Sequence, residues 1–73
     1  MKLFIIHCGF NDDDISDGVY EFHINIPVVA EDLLAAKKKA HAIPIFIKKK
    51  MHIDGVHEIS EVGGYNVSLT EAL

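Results

Sequence analysis

His7, His23, His52 and Asp54 are the residues of this sequence whose types suit shared chemistry. Imidazole nitrogen and carboxylate oxygen are donors that zinc and other first-row divalent ions accept. The same groups exchange protons near neutral pH and would equally suit acid–base catalysis. The four lie far apart in the chain, and no H-x-H or HExxH spacing occurs. Only the fold can bring them together. The competing reading is that each histidine is a surface or partly buried residue with structural bonds.

Other groups fare less well. The stretch NDDDISDG holds Asp12, Asp13, Asp14 and Asp17, but it lacks the D-x-[DN]-x-[DN]-G spacing and the later glutamate of a calcium loop. Asp and Asn favour turns, so this segment reads as a solvated connection between strands. Cys8 is the only cysteine, which excludes an internal disulfide and a cysteine-built zinc site. A nucleophilic Cys–His pair is not expected either, because its neighbour His7 points to the opposite face of a strand.

The elements that must position the histidines follow from periodicity. KLFIIHCGF is apolar on both alternating faces, Phe4, Ile6, Cys8 and Phe10 on one and Leu3, Ile5 and His7 on the other. That is the pattern of a central strand, and either set could face the core. VYEFHINIPVV alternates cleanly, with Tyr20, Phe22, Ile24, Ile26 and Val28 opposite Glu21, His23 and Asn25. Pro27 marks it as an edge strand or a strand end. Residues 30–43 read as the one helix, with Glu31 and Asp32 in its first turn, a stripe of Leu33, Ala36, Ala40 and Ile43, and Pro44 ending it. IFIKKK is a connector. MHIDGVHEI alternates again, with Met51, Ile53 and Ile59 on one face, His52, Asp54 and Glu58 on the other, and Gly55 suggesting a bulge. Gly63-Gly64 signals a hairpin turn, and Tyr65, Val67 and Leu69 read as the inward set of a fourth strand.

These elements predict an α+β domain, strand–strand–helix–strand–strand. A right-handed crossover gives a four-stranded sheet of order 2-1-3-4 with the helix on one face. The open face then carries Glu21, His23, Asn25, His52, Asp54 and Glu58. If the His7 set also faces outward, His7 stands near His23, with His52 or Asp54 on its other flank.

Seventy-three residues form a single domain, 1–73, and a chain this short buries only about 60% of its unfolded surface. With no disulfide to help, self-association is the expected supplement. An apolar central strand on an open face points the same way, toward a homodimer. The single thiol, the short apolar start and the lack of a roughly 20-residue apolar span suggest a cytoplasmic protein with no membrane partner. The formal net charge is −4. Six of the seven basic residues (Lys37, Lys38, Lys39, Lys48, Lys49 and Lys50) nevertheless fall in a window without acids, while arginine is absent. Binding of RNA or another polyanion through residues 37–50 is therefore a third reading. The missing arginine counts against nucleic acid.

MKLFIIHCG, GVYEFHINIPVVAEDLLAAK and MHIDGVHEI together resemble a small bacterial family of uncharacterised domains, found singly or in tandem copies. The resemblance covers nearly the whole chain and implies a single-domain bacterial cytoplasmic protein. It implies no activity. The residues thus favour a small non-enzymatic self-associating or protein-interaction domain with no cofactor. The alternative is a histidine–carboxylate metal or acid–base site on the open sheet face.

Overall fold

The computed structural model describes residues 1–12 and 20–73. The expected turn residues Asp13, Asp14, Asp17 and Gly18 lie outside these. Strand β1 (Lys2–Asn11) pairs antiparallel with β2 (Glu21–Ala30). Phe4 lies opposite Val28, Ile6 opposite Ile26, Cys8 opposite Ile24 and Phe10 opposite Phe22, so the two apolar sets share one face. The chain continues through helices α1 (Leu33–His41) and α2 (Pro44–Lys48). It then returns as β3 (His52–Glu58) on the other flank of β1, giving the order β2-β1-β3. The doubly apolar strand is central and the Pro27 strand is an edge, as its missing N–H requires.

The helices cover the face that carries Phe4, Ile6 and Cys8, which are 2%, 0% and 0% exposed. Val28, Ala30, Ala36, Ala40, Phe46 and Met51 complete the core. The alanines let α1 lie close to the sheet. Leu3, Ile5 and His7 therefore belong to the open face.

The helix differs from the expected 30–43. Ala30 is the last residue of β2, and Asp32 is the N-cap, its Oδ1 accepting from the Ala35 N–H at 2.8 Å. An extended N-cap is what Asp favours, so Glu31 and Asp32 precede the helix. Starting later leaves Leu33 48% exposed, on the rim of a groove with Lys37, Ile53 and Val56. Ile43 is extended before Pro44 (φ −71°, ψ 128°), and Pro44 then opens α2 within the expected connector. At the end of α2 the Lys50 N–H bonds to the Ile47 carbonyl and the Met51 N–H to that of Phe46. This is a Schellman closure, with Lys50 left-handed at φ 51°.

Asp12, expected in a solvated turn, is instead buried and accepts from Lys49 Nζ at 2.6 Å. It ties the end of β1 to the end of α2.

The fourth strand does not join the sheet. Among the described residues, strands β4 (Glu61–Val62) and β5 (Tyr65–Asn66) pair only with each other, around a turn in which Gly63 and Gly64 have φ of 59° and 86°. The Gly-Gly turn lies beyond the end of β3, so the hairpin it makes folds β5 onto β4 rather than onto β3. Tyr65 and Leu69, expected inward, are exposed; Val67 is half-buried and donates to the Ser60 carbonyl. The observed class is α+β with a three-stranded antiparallel sheet and a small second sheet. Among the described residues, no helix is long and apolar enough to cross a membrane.

Candidate functional site on the open sheet face

Pairing fixes what the open face displays. From β1 come Leu3, Ile5, His7 and Gly9. Opposite them on β2 stand Val29, Pro27, Asn25 and His23, with Glu21 one pair further on. On β3, His57 stands opposite Ile5, Gly55 opposite His7 and His52 opposite Gly9. One half of the face is apolar and the other polar, so the apolar stripe expected along β1 stops at Ile5.

The register of β3 shifts between His7 and Cys8: His7 faces Gly55 but Cys8 faces Ile53. Asp54 is the extra residue of a β-bulge. Its carboxylate stays on the open face with His52, and beyond it the alternation reverses. His57 consequently joins the open face. Glu58, expected there, turns to the helix side opposite Phe4, where its Oε1 lies 3.8 Å from Lys2 Nζ.

The polar half is tightly drawn together. His52 Nε2 is 2.6 Å from Glu21 Oε1 and 3.1 Å from Asp54 Oδ1. His23 Nδ1 is 3.3 Å from Asp54 Oδ2, and its Nε2 is 3.7 Å from Glu21 Oε2. His7 Nδ1 meets Asn25 Oδ1 at 2.9 Å, and its ring stacks parallel on His23, centroids 5.1 Å apart. The floor is Gly9. A Cβ there would lie 2.5 Å from Glu21 Oε1, 2.6 Å from His52 Nε2 and 2.9 Å from Asp54 Oδ2. Glycine is the residue that leaves this space free.

All four candidates, His7, His23, His52 and Asp54, thus meet on one face. Glu21 and Gly9 belong with them. Glu21 was recognisable from its sharing the parity of His23; Gly9 carried no signal, since its role depends on the pairing of three strands. Two groups, His7–His23–Asp54 and Glu21–His52–Asp54, each have ligand atoms within 4.8 Å of one another. A divalent ion with such donors, on a side open to solvent, can keep water as a further ligand, lower its pKa and polarise an oxygen of a bound molecule.

The remaining reactive groups lie elsewhere. Cys8 is fully buried beneath the opposite face, with Sγ 3.7 Å from the Ile6 carbonyl. Burial, and secondarily the Asp54 charge, push its thiol above the usual 9.0, which makes it a poor nucleophile. In the lysine window, Lys49 is bound to Asp12, and Lys39 donates to the Val29 carbonyl.

No curated protein and no solved structure matches the chain. Residues 19–69, spanning β2 to the segment after β5, match the family model described as Domain of Unknown Function (DUF1543). With most of its length matched, the chain belongs to the DUF1543 family, a family of domains of unknown function.

Proposed function

We propose that the domain binds a divalent first-row metal ion, zinc foremost, through Glu21, His52 and Asp54 above Gly9. The observation that carries this is the clearance at Gly9. Three donor atoms from two different strands close over a position where even a methyl group would collide. Mixed imidazole and carboxylate donors suit zinc, and a three-residue protein set leaves a position for water or substrate. Acid–base chemistry by His52 between two carboxylates uses the same residues without an ion, and the metal titration separates the two readings. Calorimetric titration of metal-free, untagged protein with zinc should give binding tighter than about 1 μM. His52→Ala should remove the ion held by Glu21, His52 and Asp54, and His41→Ala should leave it in place. Wild-type protein that binds no zinc in this range would remove the metal reading.

Self-association into a two-fold homodimer is a second reading. It is supported by the unpaired outer edges of β2 and β3 among the described residues and by the exposed Val62, Tyr65 and Leu69 after the sheet. A short chain with a small core gains most from such contacts. The interface would use Leu3 and Ile5 of β1 or an edge strand. Sedimentation at micromolar concentration should report twice the chain mass; a monomer throughout that range would contradict it.

A further inference from the structure

We infer that the cluster is built for two ions. A second divalent ion is held by His7, His23 and Asp54, and the Asp54 carboxylate bridges it to the ion on Glu21 and His52. This rests on the metal-binding reading above and extends it from a single ion to a pair.

The bridging role comes from how the bulge delivers Asp54. Its two oxygens are divided between the groups, Oδ1 at 3.1 Å from His52 Nε2 and Oδ2 at 3.3 Å from His23 Nδ1. Asp54 is the residue shared by both ligand groups. A carboxylate that offers one oxygen to each side can span ions about 3.5–4 Å apart, the spacing of two-metal centres. Because Asp54 is the extra residue of the bulge, it is Gly55 that pairs with His7, so no second β3 side chain crowds the carboxylate there.

The second group is also prepared in the manner of a ligand set. His7 Nδ1 lies 2.9 Å from Asn25 Oδ1. A carboxamide oxygen accepts, so Nδ1 carries the proton and the Nε2 lone pair is left for a metal. A hydrogen bond that fixes the tautomer and ring orientation is what metal-binding histidines usually have. The stack of His7 on His23, within 4° of parallel, holds the two rings together. Glu21 Oε2, 3.7 Å from His23 Nε2, gives the pair of ions a second carboxylate between the groups.

The test uses manganese as the probe, because two coupled manganese(II) ions have an electron paramagnetic resonance spectrum unlike that of one ion. Metal-free protein should saturate at two manganese ions per chain and show the exchange-coupled signal. His7→Ala should saturate at one ion and give an uncoupled signal. His7→Asn, which keeps a polar side chain at this half-buried position, should do the same, and His57→Ala should behave as wild type. Circular dichroism on each variant checks that the sheet has formed. Saturation at one ion in the wild type, still lost in His52→Ala but indifferent to His7, would overturn the two-ion inference and leave the single-ion reading standing. A protein that binds neither manganese here nor zinc in the calorimetric titration would overturn both.

Discussion

Gly9 lies opposite His52 in the β1–β3 pairing, and a Cβ on Gly9 would sit 2.6 Å from His52 Nε2. The absent side chain is therefore part of the site. Gly9→Ala should force the ends of His52, Glu21 and Asp54 outward. Those ends are exposed and flexible, so the denaturation midpoint should change little. Zinc affinity should fall by about 10- to 100-fold, the range seen when ligand orientation is disturbed. Unchanged affinity would mean the ligands do not meet above Gly9.

Lys50 holds the left-handed position that closes α2, at φ 51°. Glycine adopts that conformation without the Cβ penalty of roughly 1–2 kcal/mol, offset in part by its greater freedom when unfolded. Lys50→Gly should raise stability by about 0.5–1 kcal/mol. The readout is a higher urea midpoint with an unchanged slope.

Asp12 and Lys49 join the end of β1 to the end of α2 at 2.6 Å, with Asp12 only 6% exposed. Asp12→Ala leaves Lys49 without this partner and should cost about 1–3 kcal/mol. Loss of less than a few tenths would show that water replaces the carboxylate at no cost.

The Cys8 thiol, raised mainly by burial, is protonated in the folded chain at pH values where the unfolded chain has begun to ionise. The unfolded state then binds fewer protons, so stability falls as pH rises above 9.0, the ordinary value for a thiol. Cys8→Ala should flatten that alkaline slope. An equal slope in both proteins would assign it to other groups.

Much of this arrangement was legible in the alternation of residues. Phe22, Ile24, Ile26 and Val28 share one face as their spacing requires, and the doubly apolar β1 is central. The order β2-β1-β3 followed from a helix-bearing connection that has to pass over β1. What alternation could not convey is register. Gly55 signalled a bulge, but only pairing with β1 reveals that Asp54 is the additional residue, which sends His57 to the open face and Glu58 to the other. Tyr65, Val67 and Leu69 alternate like a strand, yet alternation does not name a partner, and here the Gly63-Gly64 turn pairs β5 with β4. Asp32 was visible as an acidic residue near the start of the helix. Whether it caps α1 or lies inside it depends on where β2 ends. The four site candidates were identifiable by type; their convergence was a property of three strands together.

The most direct measurement is an anomalous difference map at the zinc edge, from crystals of zinc-loaded protein. The proposed site predicts a peak above Gly9 within coordination distance of Glu21, His52 and Asp54, with a second beside His7 and His23 sharing Asp54. Peaks found only at His41 or His57, or no peak from protein soaked well above micromolar zinc, would contradict a metal site on the open face.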